Sequence, residues 1–165
     1  GFCMRNPHDI NCDSRTDVLS SIDANLSELQ MINDKVNDYV NQIEDIDNYG
    51  VKEYWNYPNQ VGGDCEDIAL QKKKMLYELG YPIDTLSLAA VIEQGEGHAV
   101  LLVYTNQGVY VLDNLVSEIK KIDDTDYKFQ KVQSRYNSAA WQGYYGKEDA
   151  SAIKKYVPFW LSKQK

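Results

Sequence analysis

The sequence LSLAAVIEQGEGHAVLLVYTNQGVYVLDNL, from Leu86 to Leu115, decides the fold of this chain. Three short runs rich in β-branched and aromatic residues alternate here with turns that contain glycine. Runs of this kind, bounded by turn residues, predict β-strands. We therefore expect the second half of the chain to form a mostly antiparallel sheet. The expected strands are Leu86 to Ile92, His98 to Tyr104, Val109 to Leu115, Ile119 to Ile122 and Tyr127 to Val132.

A helical period precedes the sheet. Apolar residues recur at spacings of three, four or seven along residues 16–47, and this period predicts helical structure there, as one helix or as two pieces. Asp13 or Ser14 can cap its start, and the Asn-Tyr-Gly sequence at 48–50 supplies its end.

A second helix is expected to begin at Asp64-Cys65 and to end at Gly80, because Tyr81-Pro82 prevents its continuation. Its inward-facing residues are expected to be Ile68, Ala69, Met75, Leu76 and Leu79. A short helix is expected from residue 150 onward. Because helices come first and strands later, we predict one α+β domain over residues 1–165, with N-terminal helices packed on the sheet.

The composition limits the partners. The chain has 25 acidic and 17 basic residues, a formal net charge of −8. Proteins bind nucleic acids and anionic membrane surfaces through clustered Lys and Arg, so neither is expected as a partner of this acidic chain. Its carboxylates suit divalent cations instead. No apolar run approaches the roughly 18 residues that span a bilayer, so we expect a soluble protein. The sequence starts at Gly1 without an apolar signal region, so we expect any export signal to have been removed.

The three cysteines divide into a close pair and a single residue. Cys3 and Cys12 lie in one short segment, whereas Cys65 stands alone after Gly62-Gly63-Asp64. Two alternatives stay open for the pair: a disulfide in an oxidising compartment, or two thiols in the cytosol.

Cys65 is the candidate nucleophile. A thiol attacks as thiolate, and the positive end of a helix beside a histidine favours that form. Cys65 lies at the expected helix start, and the two glycines before it permit a sharp turn. The alternative is a buried structural cysteine, which the neighbouring carboxylates of Asp64, Glu66 and Asp67 argue against.

Those carboxylates also oppose formation of the Cys65 thiolate, because negative charge near a thiol raises its pKa. A hard cation such as calcium, bound by oxygens of Asp64, Glu66 or Asp67, would offset this effect and fix the turn. The alternative is that these residues only cap the helix and favour its dipole.

His98 is the candidate base, because the other histidine, His8, lies in the N-terminal segment. An even-length loop between the second and third strands pairs Tyr104 with Val109. His98 and Asp113 then become diagonal neighbours on one face, within reach of a hydrogen bond. A bulged three-residue loop would shift this register.

These residues suggest a catalytic triad. Cys65 would attack a carbonyl, His98 would activate the thiol and protonate the leaving group, and Asp113 would hold the imidazole in the useful tautomer. The Cys65 backbone N–H and one further donor would receive the oxyanion. Trp55 is a candidate for that donor or for a wall of the cleft, and a packed aromatic is the alternative.

The order of Cys, His and Asp resembles the transglutaminase-like superfamily within the papain-like group. Three segments carry a closer resemblance to the bacterial transglutaminase-like cysteine proteinases: Gly63-Asp64-Cys65-Glu66-Asp67, His98-Ala99-Val100-Leu101 and Val111-Leu112-Asp113-Asn114-Leu115. The resemblance implies a papain-like or transglutaminase-like fold and a calcium-dependent cysteine endopeptidase.

Carried over by position, the resemblance assigns the triad to Cys65, His98 and Asp113. It assigns calcium binding to Asp64 and Glu66, with Asp67 as a further candidate ligand. Cys3 and Cys12 look like the family's paired N-terminal cysteines, and Asn33 and Asn37 fall in its Asn-containing helix.

The family includes calcium-dependent periplasmic proteases that release biofilm adhesins from the cell surface. The resemblance therefore implies a protein substrate such as a large surface adhesin, a regulatory protein, and a periplasmic or otherwise exported location. The segment between Pro58 and Gly63 looks shorter than in the family, so the substrate cleft is expected to differ. Two alternative functions are a transglutaminase-type acyl transferase, in which an amine takes the acyl group, and a non-catalytic calcium-responsive binding module.

Overall fold

The computed structural model describes residues 2–39, 65–93 and 95–143. Its helices are α1 (Phe2–Arg5), α2 (Ile10–Asp13), α3 (Leu26–Tyr39) and α4 (Cys65–Glu78). Its strands are β1 (Leu86–Glu93), β2 (Glu96–Thr105), β3 (Gly108–Leu112), β4 (Lys120–Lys121), β5 (Lys128–Gln133) and β6 (Trp141–Gly143).

The six described strands form one sheet in the order β4-β3-β2-β1-β5-β6, and neighbouring strands are antiparallel. Helices α3 and α4 pack on one face of it, so the α+β prediction is confirmed. The buried residues of that face form the helix-side cluster: Leu29, Ile32, Val36, Ile68, Ala69, Leu70, Leu76, Leu86, Leu88, Leu101, Val103, Tyr110 and Leu112.

Alternate strand residues point to the other face, because successive side chains of a strand lie on opposite sides. They form the far-side cluster: Ala89, Val91, Val100, Leu102, Tyr104, Val109, Val111, Ile122, Phe129 and Val132. Burying one such large apolar side chain stabilises a fold by about 1.5–3 kcal/mol. The central strands are therefore held by apolar packing on both faces.

The helix predicted over residues 16–47 is only partly present. The structure is helical from Leu26 to Tyr39, but residues 16–25 are not helical, and that part of the prediction is wrong. Residues 40–50, including the predicted helix end, lie outside the described residues.

Hydrogen bonds with residues distant in the sequence explain why residues 16–25 are not helical. The carbonyl of Ile22 accepts from the Asn106 N–H at 2.8 Å, and the Ala24 N–H donates to the Asn106 side chain at 3.2 Å. These bonds take backbone groups that a helix would have used. Asn25 Oδ1 accepts from the Glu28 N–H at 3.2 Å, so Asn25 caps the helix instead of Asp13 or Ser14.

Helix α4 begins at Cys65, as predicted, and is followed by Gly80 with a positive φ of 104°. Glycine is favoured in this left-handed conformation at a helix end. Of the predicted inward residues, Ile68, Ala69 and Leu76 are buried and Met75 is partly buried. Leu79 is 54% exposed, and its predicted burial is wrong because it follows the last helical residue.

The strands of the opening stretch are confirmed, although β3 ends at Leu112 rather than Leu115. Tyr104 pairs with Val109, as predicted, and a further pair of Thr105 with Gly108 shortens the turn to two residues. Strand β4 is shorter than expected, β6 was not predicted, and the helix expected from residue 150 lies outside the described residues. Among the described helices, none has the length and apolar character needed to cross a membrane.

Of the two alternatives for the N-terminal cysteines, the structure has the disulfide between Cys3 and Cys12. The bridge joins the first two helices, because Cys3 lies in α1 and Cys12 lies in α2.

A buried glutamine connects this N-terminal segment with α4 and the sheet. Gln133 Oε1 accepts from Lys73 Nζ at 2.6 Å and from the Leu88 N–H at 3.1 Å. Gln133 Nε2 donates to Asn11 Oδ1 at 3.1 Å and to the Ser138 carbonyl at 2.7 Å. All four hydrogen-bonding positions of the amide are thus used.

Candidate active site

His98 and Asp113 meet near the beginning of β2. His98 Nε2 lies 2.7 Å from Asp113 Oδ1, and both residues are buried. His98 pairs with Val91 across the β1–β2 ladder, so its imidazole lies on the face of the far-side cluster. Because an ionised carboxylate only accepts hydrogen bonds, Nε2–H donates to Asp113, and the neutral ring keeps Nδ1 as its acceptor. The contact agrees with the strand register expected from the sequence.

The Asp113 carboxylate receives hydrogen bonds at both oxygens. Oδ1 accepts from His98 and from the Leu115 N–H at 2.9 Å, and Oδ2 accepts from the Tyr127 hydroxyl. Burial alone raises the pKa of Asp113, but the bonds from His98, Tyr127 and Leu115 outweigh it, and the net pKa lies below the usual value of 3.8. Asp113 is therefore ionised at neutral pH.

Tyr127 contacts both members of this pair. Besides its bond to Asp113, its ring meets the His98 imidazole edge-on, with ring centroids 5.7 Å apart and planes at 60°. Sequence reasoning gave Tyr127 no role at the site. Tyr127 precedes β5, which lies beside β1 and not beside β2, so the contact depends on the strand order. No local spacing in the sequence could have revealed it.

Helix α3 holds the loop that carries Asp113. Asn37 Nδ2 donates to the Asp113 carbonyl at 2.9 Å, and Asn33 Nδ2 donates to the Ser117 carbonyl at 3.0 Å. Gln30 Oε1 accepts from the backbone N–H of residue 119 at 3.0 Å. These bonds fix the loop at several points, which gives the two asparagines noted in the sequence a structural role.

Lys72 of α4 is buried close to the same loop. Burial lowers the pKa of Lys72 to about 7, while the negative charges of Asp113 and Asp34 oppose that shift. Near neutral pH the ammonium and amine forms are therefore both populated, and protonated Lys72 brings positive charge toward Asp113.

Cys65, the first residue of α4, is half-buried and takes no part in a disulfide. Its Sγ lies 3.5 Å from Oε2 of Glu66. The helix N-terminus favours a thiolate at this position, whereas the adjacent carboxylate opposes it. The conflict expected from the sequence is thus present as a direct contact.

The predicted calcium ligands are described only in part. Asp64, one of these ligands, lies outside the described residues, as does Trp55, the candidate oxyanion donor or cleft wall. Asp67 is completely buried, and Glu66 is half-buried beside Cys65. Within the described ranges, no three His, Cys, Asp or Glu side chains form a group that could hold a metal ion. Of the two described carboxylates, Glu66 is the one that solvent reaches.

Comparison with known proteins identifies the family. Residues 1–149 match the family model for the bacterial transglutaminase-like cysteine proteinase BTLCP. The chain belongs to this family. The resemblance seen in the sequence is confirmed, and the chain is a cysteine peptidase of the transglutaminase-like type. No curated protein matches the sequence.

Solved structures of LapG from Legionella pneumophila share the transglutaminase-like fold. The calcium-bound form aligns with a TM-score of 0.61 and 25% identity, over 78% of this chain and 71% of LapG. The EGTA-treated form aligns with a TM-score of 0.62 and 25% identity, over 82% of this chain and 72% of LapG. A further LapG structure has a TM-score of 0.59 and 28% identity, over 71% of this chain and 66% of LapG.

Proposed function

We propose that this cysteine peptidase is an endopeptidase with Cys65 as nucleophile, His98 as base and Asp113 as orienter. The observation that carries the proposal is the 2.7 Å contact between His98 Nε2 and Asp113 Oδ1. It leaves Nδ1 of the imidazole to accept the thiol proton.

The connection between α4 and β1 supports a meeting of Cys65 with His98. Residues 79–85 join the two elements, and both contribute to the helix-side cluster. So short a connection between packed elements favours an antiparallel arrangement, with the start of α4 near the end of β1. Strand β2 begins at that end, and His98 lies there. Because the imidazole belongs to the far-side face, we expect the thiol to approach it around the end of the sheet.

The reaction would proceed through a thioester. The Cys65 thiol gives its proton to His98 Nδ1, and the thiolate attacks the peptide carbonyl. The imidazolium then protonates the leaving amine, and a water activated by His98 hydrolyses the thioester. The backbone N–H of Cys65 at the helix start is the proposed oxyanion donor.

Calcium is part of the proposal, with Asp64 and Glu66 as ligands and Asp67 as a further candidate. A calcium ion there would neutralise negative charge beside the thiol and so favour the thiolate. The 3.5 Å distance between Glu66 Oε2 and Cys65 Sγ supports the idea that one carboxylate affects both metal and nucleophile. Calcium-bound and EGTA-treated LapG structures support it further.

The proposed substrate is an extended segment of a large surface adhesin, and the proposed location is the periplasm or another exported compartment. The Cys3–Cys12 disulfide supports this location, because such bonds persist in oxidising compartments. Under this proposal a regulatory protein would control access to the site, and the released adhesin would link the peptidase to biofilm dispersal.

The test uses cell-surface proteins of the source organism as substrates. The purified protein is incubated with them in calcium and in EGTA, beside the Cys65→Ala variant and with a fluorescent amine present. We expect discrete fragments from the wild type in calcium only, and none from Cys65→Ala. Cleavage by Cys65→Ala would refute the thiol mechanism. Amine incorporation without cleavage would identify an acyl transferase instead.

A further inference from the structure

We propose that Tyr127 is a positioning residue that fixes the His98–Asp113 pair, a role that rests on the proposed function of that pair as base and orienter. Tyr127 uses two different parts of its side chain. Its hydroxyl donates to Asp113 Oδ2, and the edge of its ring packs against the His98 imidazole.

The hydroxyl determines how the carboxylate is oriented. Oδ1 of Asp113 is bonded by His98 and by the Leu115 N–H, whereas Oδ2 accepts from Tyr127 among the residues that the structure describes. Because both oxygens are bonded, rotation of the carboxylate plane away from the imidazole would break hydrogen bonds. Asp113 is only 3% exposed, so water is a poor substitute for a lost hydroxyl.

The ring limits the motion of the imidazole itself. An edge-on aromatic contact has a preferred geometry, and the ring centroids of Tyr127 and His98 are 5.7 Å apart. Tyr127 also packs against the far-side cluster, which fixes the tyrosine. The base is therefore held by a residue outside the triad, which immediately precedes β5.

The variant Tyr127→Phe separates these contributions, because it keeps the ring and removes the hydroxyl. The histidine tautomer is read from nitrogen-15 NMR spectra, which contain only two imidazoles, with His8 as internal reference. In the wild type we expect the Nε2–H tautomer of His98. In Tyr127→Phe we expect a mixture of the two His98 tautomers. We also expect kcat to fall by up to about tenfold, with KM little changed.

Tyr81→Phe is the matched control. It removes the same atom and a hydrogen bond to a carboxylate, because the Tyr81 hydroxyl donates to Glu28 Oε1 at 2.7 Å. We expect it to leave the His98 tautomer and kcat unchanged. If Tyr127 only stabilised the fold, Tyr127→Phe would lower the thermal stability without changing the His98 tautomer. The tautomer therefore distinguishes a positioning role of Tyr127 from a merely structural one.

Retention of the pure Nε2–H tautomer and of full kcat in Tyr127→Phe would overturn the proposal. The NMR measurement needs no substrate, so it decides the role of Tyr127 in fixing the pair even if the wild type cleaves nothing. Absence of thiol-dependent cleavage by the wild type would count against the proposed function instead.

Discussion

The Asp113 and Glu66 carboxylates lie in opposite surroundings. Asp113 is buried among donors that lower its pKa, and it holds His98 in one orientation. Glu66 lies 3.5 Å from the Cys65 sulfur, where its charge opposes thiolate formation. The base half of the proposed site is thus organised by hydrogen bonds among the described residues. Under the proposed function a bound cation would offset the charge of Glu66 beside the thiol, so we expect regulation to act on the nucleophile half.

The largest expected effect follows from removing either half. Cys65→Ala and His98→Ala should each lower kcat by up to about 10⁶-fold, because the members of a triad act as one unit. The double variant should then be no worse than either single variant. Rates of peptide cleavage with matched amounts of folded protein measure this. Additive losses would mean that the two residues do not act together.

Loss of the orienting carboxylate is expected to have a smaller effect. Asp113→Ala should lower kcat by about 10²- to 10⁴-fold, since His98 keeps its ring but loses its tautomer preference. Calcium dependence should be unchanged, because this half of the site does not include the proposed ligands. A calcium titration of Asp113→Ala checks this, and a shifted midpoint would contradict the separation of the two halves.

The Glu66 contact predicts a more modest change in thiol reactivity. Adding EGTA to the wild type should slow alkylation of Cys65 by iodoacetamide by about tenfold, equivalent to about 1.4 kcal/mol. In EGTA, Glu66→Gln should be alkylated faster than the wild type, because the opposing charge is gone. Glu118→Gln serves as a control far from the thiol in sequence. Equal rates for Glu66→Gln and wild type in EGTA would show that Glu66 does not oppose the thiolate.

The last expected effect is on stability rather than on activity, and it depends on pH. Burial lowers the pKa of both Lys72 and Lys73 from 10.5 to about 7, although Asp113 opposes the shift at Lys72 and Asp9 opposes it at Lys73. Between pH 7 and pH 10.5 these two lysines bind more protons in the unfolded chain than in the folded one. The free energy of unfolding should therefore rise with pH over this interval.

Urea unfolding at pH 7 and pH 9.5 measures this slope, with about 1.4 kcal/mol corresponding to one pKa unit of difference for one group. Lys72→Met and Lys73→Met should each flatten the slope. A wild-type stability that falls over this interval would contradict the burial of both lysines.

Much of the base half could be predicted from the sequence because it depends on local patterns. The alternation of β2 and β3 and the two-residue turn between them set the register that brings His98 to Asp113. The start of α4 at Cys65 was similarly evident from the residues around it.

What the sequence could not predict depends on long-range contacts. Residues 16–25 have a helical period, yet the backbones of Ile22 and Ala24 bond to Asn106, about 80 residues away, so tertiary contacts override the local preference. Tyr127 reaches the site only because β5 lies beside β1. Lys72 and Lys73 lie in a run of three lysines, and nothing in that run indicates that both are buried. Lys73 donates to Gln133, which is 60 residues away in the sequence.

The four hydrogen bonds of Gln133 have a consequence for the order of folding. They join segments near residues 11, 73, 88 and 138, so they form only after all four segments have come together. Hydrogen bonds that form only when the fold is nearly complete contribute little to the folding transition state. They are therefore expected mainly to slow unfolding. Removal of the Gln133 side chain is therefore expected to shorten the lifetime of the folded state more than it slows folding.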